Sequence, residues 1–207
     1  MTDPPLALGC VWLLWCGAHS LLAHPTVKSC IQRLLGRWQG YYRLLYNLLA
    51  MATLLPVVSI YLEASGPVLV AWPDWLAPLP WVMRGLALWL LLAGARAYGM
   101  RRFLGLDPLT PRQNQGAEAR EPLVVTGILQ YVRHPWYLAG LLLLWGRDLA
   151  ARDLVTAILL SGYLYLGSVL EERRLVAEFG DRYRRYQREV PRFLRLCRRR
   201  PSLTDSY

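Results

Sequence analysis

Lysine is almost missing from this 207-residue chain: Lys28 stands alone, and every other basic residue is an arginine. Charge of either sign is scarce, at 18% of residues, against 55% hydrophobic residues. That ratio excludes a soluble enzyme. The formal net charge of +10 would otherwise point to nucleic acid, but no nucleic-acid partner is expected from a chain this apolar. A membrane protein with basic ends facing an anionic leaflet fits both numbers. Cysteine is sparse too. Cys10, Cys16, Cys30 and Cys197 form no C-x-x-C word, which excludes a disulfide framework or a thiolate metal site and leaves them as small buried hydrophobes. No metal ligand set is expected. The N-terminus lacks a basic start and a small-x-small cleavage pattern, so the first apolar segment is expected to be retained. There is no sustained heptad, internal repeat or low-complexity tract.

What is present is a series of apolar runs, to be judged against the roughly 20 residues that a helix needs to cross a bilayer. The first runs from about Leu6 to Ala23, the second from about Tyr41 to Leu62 with Pro56 as a tolerated kink, and the third from about Leu79 to Tyr98. A loop with Lys28, Arg33 and Arg37 separates the first two. The Trp72–Trp75 stretch before the third has the look of an interfacial tryptophan belt. A fourth run, Pro135 to about Gly146, is short for a span, and a fifth from Leu154 continues as one helix through Phe179. The fourth and fifth read as a helical hairpin turned at Arg147–Asp153. The fold class is therefore an all-α integral membrane protein of about five transmembrane helices with a basic cytoplasmic tail.

The domain expectation is one membrane domain over residues 1–207, with a three-helix scaffold to 98, a core at 99–191 and a basic tail at 192–207. Arginine falls in the loops after the first and third runs and in the tail, while acids alone occupy the N-terminus and the loop after the second. The positive-inside rule then places the N-terminus outside and the C-terminus inside.

Arg133-His134-Pro135-Trp136-Tyr137 is the densest polar word in the chain. Pro135 suits the first turn of a helix, so Arg133 and His134 stand at a helix N-terminus, where free N–H groups favour an anion. The rings of Trp136 and Tyr137 can hold a cation. Glu171 and Glu172 end the fifth run on the same side of the membrane. A zwitterion with a carboxylate, an ammonium and a sulfonium matches this set, and S-adenosylmethionine is such a molecule. Blander readings stand beside it. Glu171-Glu172-Arg173-Arg174 is also an ordinary ion-paired helix face, and Phe179, Tyr183 and Tyr186 are also a plain packing stripe. His19 and His24 fit a ligand pair, or one packed histidine and one loop histidine. Asn47, Arg84 and Arg96 lie in or near spans, either lining a substrate cavity or bonding other helices.

Four words carry a resemblance: Leu123-Val124-x-Thr126-Gly127, Arg133-His134-Pro135-x-Tyr137-x-x-Gly140, Glu171-Glu172-x-x-Leu175 and Phe179-Gly180-x-x-Tyr183-x-x-Tyr186-x-x-x-Val190-Pro191. Together they resemble the C-terminal core of the isoprenylcysteine carboxyl methyltransferase and phospholipid N-methyltransferase superfamily. Ala18–Ala23 is more similar to its bacterial branch of methanethiol S-methyltransferase- and NnrU-like proteins. The resemblance implies an S-adenosylmethionine-dependent methyltransferase. It implies cofactor contacts from Leu123, Val124, Leu129, Arg133, His134, Pro135, Trp136, Tyr137 and Glu171, with Gln113 or Gln115 as a further family glutamine. The acceptor is expected to be a lipophilic or small thiol, carboxylate or amine arriving from the bilayer among the membrane lipids. Should the acceptor need a base, Glu172 or Tyr186 is the expected catalytic residue. Gly167 stands where prenylcysteine enzymes carry a substrate-binding arginine, which argues against a prenylcysteine carboxylate. Sterol reductases share an Arg-His-Pro word with NADPH, but usually with Asn before the tyrosine and an acid after the glycine; here Trp136 and Leu141 stand there. A non-enzymatic membrane accessory protein is the other alternative.

Overall fold

The computed structural model describes residues 4–100, 104–106 and 123–194. These are almost entirely helical. The helices are α1 (Pro4–Ala23), α2 (Pro25–Leu35), α3 (Tyr42–Glu63), α4 (Pro78–Tyr98), α5 (Pro135–Trp145), α6 (Ala151–Phe179) and α7 (Asp181–Glu189). Two short strands, β1 (Val68–Val70) and β2 (Leu149–Ala150), pair antiparallel. Among the described residues, four helical stretches are long and apolar enough to cross a membrane: Pro5–Ala23, Pro25–Glu63, Asp74–Tyr98 and Ala151–Phe179. The protein is an all-α, multi-pass integral membrane protein, as its composition requires. The fourth apolar run forms α5, whose 11 residues rise only about 16 Å at 1.5 Å per residue. It is a partial span held between longer helices.

The loop expected around Lys28 is a helix instead. Pro25 opens α2 in the position where a missing N–H costs nothing, and Nδ1 of His24 accepts from the backbone N–H of Thr26 as the N-cap. Gly36, at φ +51°, ends it. A 3₁₀ turn over Gly36–Tyr41 leads into α3. Cys16 is buried, whereas Cys10 and Cys30 are exposed rather than packed inside.

The residues group into two compact units that interleave along the chain. The first gathers α1, α2, α3, the strands and the start of α6 to residue 160. Here the ring of His19 stacks on Trp15, and its Nε2 lies 2.6 Å from the hydroxyl of Tyr46. His19 is thus a packed bundle residue, and His24 a helix cap. Trp12 donates from Nε1 to Thr156 at 3.1 Å, and Asn47 donates to the carbonyl of Leu104 at 3.1 Å. Asp153 accepts from Ala150 N–H at 2.9 Å and from the hydroxyl of Tyr61, which fastens the start of α6.

The second unit holds α4, α5, the rest of α6 and α7. It is the one that matters for chemistry. α5 runs antiparallel to α4: Trp136 donates from Nε1 to Leu91 O at 3.1 Å, and Arg84 donates to Gly146 O at 3.0 Å. Arg84 therefore bonds a carbonyl left unpaired at the end of α5, with its guanidinium over the ring of Trp81. On its other side α5 runs antiparallel to α6, from Trp145 against Ser161 to Tyr137 against Glu171, which is the expected hairpin. Glycine permits both approaches, as small residues do between membrane helices. A Cβ on Gly94 would stand 2.3 Å from Nε1 of Trp136, and one on Gly140 would stand 3.1 Å from Leu164. The core between α4 and α5 contains Ala87, Leu90, Leu129, Val132, Leu138 and Ala139. Gly94→Ala should therefore destabilise the protein by about 1–3 kcal/mol, the usual cost of over-packing. The readout is the thermal unfolding midpoint in detergent; an unchanged midpoint would mean that the indole does not sit against α4.

Candidate functional site

The site is built where the chain enters α5. Gly127, at φ +60°, starts a 3₁₀ turn over Gly127–Gln130 that drops Ile128 and Leu129 into the α4–α5 core. The next residues run beside the segment that follows α7. Arg133 N–H donates to Pro191 O at 3.0 Å and His134 N–H to Arg192 O at 3.1 Å. The hydroxyl of Tyr98 donates to Arg133 O at 3.3 Å. Pro135 then sets the first turn of α5, with His134 as its N-cap residue.

Arg133 and Glu172 form a buried ion pair. Nη2 and Nε of Arg133 lie 2.7 and 2.9 Å from Oε1 of Glu172, and the two side chains are 8% and 4% exposed. Nη1 of the same guanidinium donates to Gln187 O at 3.0 Å and to Val190 O, carbonyls of the last turn and cap of α7. Glu172 is filled from every side. Arg192 donates to Oε2 at 2.7 Å, Gln187 donates to Oε2 at 2.9 Å, and Nε2 of His134 lies 3.1 Å from Oε1. The bond to Glu172 is also the main cause that raises the pKa of Arg192.

Its neighbour Glu171 has a different setting. Successive residues of a helix point about 100° apart at 3.6 per turn, so Glu171 leaves the ion-pair network and is 44% exposed. Its Oε2 accepts from the hydroxyl of Tyr137 at 2.9 Å and lies 3.7 Å from Nδ1 of His134. The rings of His134 and Tyr137 are parallel, 4° apart in plane, with centroids 5.2 Å apart. Burial pushes the His134 imidazole below its ordinary pKa; Glu171 and Glu172 pull it up, and Arg133 adds to the lowering. Burial likewise raises Tyr183, with Glu172 acting in the same direction.

Of the residues expected at the site, Arg133, His134, Pro135, Tyr137, Glu171 and Glu172 come together here. Trp136 points the other way, against α4, where its indole bonds Leu91 O and meets Tyr98. Leu129 is buried in the α4–α5 core. Leu123 packs against the cluster of Val125, Tyr183, Tyr186 and Val190, and Val124 is exposed. Tyr186 is buried with Tyr183 and Val190, and its hydroxyl donates to Leu129 O. The polar atoms of Glu172 and Tyr186, the two expected bases, are thus engaged inside the protein. The stripe Phe179, Tyr183, Tyr186 is a packing stripe. Gln113 and Gln115 lie outside the described residues.

Sequence reading missed Gln187, Arg192, Phe193 and Tyr98. Phe193 approaches the ring of His134 at 6.3 Å and packs on the α4–α5 core. The one sequence signal for this segment was Val190-Pro191, a helix stop that frees the chain to turn back. Removing one partner of a buried ion pair strands the other, at a cost of about 3–5 kcal/mol. Arg133→Met and Glu172→Gln should each lose on that order of stability, and the double variant much less than the sum. A double-mutant cycle on detergent-purified protein checks this; additive losses would mean that the two charges do not meet.

A family model described as NnrU protein matches residues 6–193. A methanethiol S-methyltransferase of Pseudomonas deceptionensis is 33% identical over 133 residues, which are 63% of this chain and 48% of that protein. Methanethiol S-methyltransferase 2 of Bradyrhizobium diazoefficiens is 30% identical over 195 residues, 84% of this chain and 66% of that one. The chain thus spans about half to two-thirds of the length of these relatives. No solved structure matches. These likenesses agree with the superfamily that the four sequence words resemble, and with the bacterial branch to which Ala18–Ala23 is more similar. Since the family match runs from α1 through the segment that pairs with Arg133 and His134, the chain belongs to the NnrU protein family.

Proposed function

We propose that the protein is an integral membrane methyltransferase that uses S-adenosylmethionine and transfers its methyl group to a small or lipophilic thiol. The observation that carries this reading is the convergence of three unlike groups: the half-exposed carboxylate of Glu171, the parallel rings of His134 and Tyr137, and the N-terminus of α5. The donor set fits the cofactor's charges. Glu171 would take its ammonium, the ring face of Tyr137 its sulfonium, and the first N–H groups of α5 its carboxylate. When bound, the cofactor supplies an electrophilic methyl group. The chain's own residues hold and orient it and exclude water, and positioning of this kind supplies much of the rate in such displacements.

Support for a thiol acceptor comes from the printed names of the relatives, which are methanethiol S-methyltransferases. It also comes from Gly167: the hydroxyl of Tyr137 lies 3.8 Å from where its Cβ would be, and no guanidinium is available at that position for an acceptor carboxylate. The positive-inside pattern supports a site on the cytoplasmic side of a bacterial inner membrane, with the N-terminus outside.

Calorimetric titration of the detergent-purified protein should give saturable S-adenosylmethionine binding, weakened at least tenfold by Glu171→Ala, and none with NADPH. Binding of NADPH instead would favour a reductase, and binding of neither an accessory protein. For topology, a C-terminal fluorescent-protein fusion should glow and a C-terminal alkaline phosphatase fusion should be inactive; the reverse pair would put the site outside.

A further inference from the structure

His134 lies between two carboxylates that treat its ring nitrogens differently. Nε2 is 3.1 Å from Oε1 of Glu172, whereas Nδ1 is 3.7 Å from Oε2 of Glu171, beyond hydrogen-bond reach. Glu172 also receives Arg133, Arg192 and Gln187. An ionised carboxylate only accepts, so its contact with His134 requires the hydrogen on Nε2. A neutral imidazole so fixed leaves Nδ1 with a bare lone pair. The other bases nearby are spent or weak. Both oxygens of Glu172 are filled, the hydroxyl of Tyr186 is bonded to Leu129 O, and Glu171 is half-exposed to water.

On the methyltransferase reading above, which this inference deepens, we infer that Nδ1 of His134 is the base that takes the proton of a thiol acceptor, with Glu172 as its positioning residue. A thiol near pH 7 is mostly protonated, with an unperturbed pKa of about 8.5 for cysteine, and only the thiolate is a strong nucleophile. In the step, the S–H bond breaks and its proton goes to Nδ1. The sulfur electron pair forms the new bond to the methyl carbon. The bond from that carbon to the donor's sulfonium sulfur breaks, its electron pair staying on that sulfur to give a neutral thioether. The resulting imidazolium stands between the carboxylates of Glu171 and Glu172, with the guanidinium groups of Arg133 and Arg192 both on Glu172. Glu171 can then pass the proton to water.

The test uses the full chain in detergent with S-adenosylmethionine, and reads more than turnover. Imidazole ¹⁵N NMR should show the Nε2–H tautomer for His134, and Glu172→Gln should relax that preference. His134→Gln keeps an N–H donor for Glu172 but no base at Nδ1. It should keep saturable S-adenosylmethionine binding by calorimetry while losing about 100-fold or more in turnover of methanethiol at pH 7, the usual scale of acid–base catalysis. Its turnover of thiophenol, an acidic thiol, should fall far less. Equal losses with both thiols, or an Nδ1–H tautomer in the parent, would overturn the inference. If the variant does not fold, the parent's pH profile decides. Turnover of methanethiol should be level above about pH 6.5, the ordinary histidine value; a tenfold climb per pH unit up to pH 9 would contradict a histidine base. Failure of the parent to bind S-adenosylmethionine at all would sink the underlying methyltransferase reading instead, and is scored separately by calorimetry.

Discussion

A buried guanidinium dictates the arrangement of the second unit. Arginine cannot shed its charge in a protein, so Arg133 at 9% exposure must find a carboxylate and acceptors for its other donors. It finds them on two elements at once: Glu172 of α6, and the carbonyls of Gln187 and Val190 at the end of α7. A buried pair of this kind contributes little net stability over a well-packed apolar pair. Its value lies in geometry, because the donors of one guanidinium are committed to acceptors on two elements. That geometry fixes where the residues before α5 lie, brings the segment from Pro191 to Phe193 alongside them, and sets the angle at which Glu171 leaves the network.

Adjacent identical residues consequently do opposite work. Glu172 is enclosed and orders its surroundings, whereas Glu171 is half-exposed and bonded to Tyr137. His134 joins the two, with one ring nitrogen toward each. Burial lowers the basicity of this imidazole against the pull of both carboxylates, and the neutral ring is the form that can accept a proton.

Much of this was legible in the residues. The apolar runs became α1, α3, α4, α5 and α6 because membrane-length apolar segments have no other stable form in lipid. Pro135 and the Arg-His pair before it marked the site because a proline at the first helical position leaves the preceding residues at the helix mouth. The remainder depended on direction, which sequence spacing does not carry. Nothing in Glu171-Glu172 says which carboxylate faces inward, since that depends on the rotation of α6 set by packing on α5. Trp136 sits beside Tyr137 in the chain but bonds α4. Arg192 reads as one more arginine of a basic tail, and only the return of the chain after α7 brings it to Glu172. α2 was missed because His24-Pro25 reads equally as a loop and as a cap with a first-turn proline.

The most direct test of the account is an experimental structure of the full chain with S-adenosylhomocysteine. The account predicts the ligand's amino group at Glu171, its sulfur beside the ring of Tyr137, and Glu172 still enclosed by Arg133, Arg192 and His134. Ligand density away from Glu171, or a Glu172 turned out of its ion pair to touch the ligand, would contradict it.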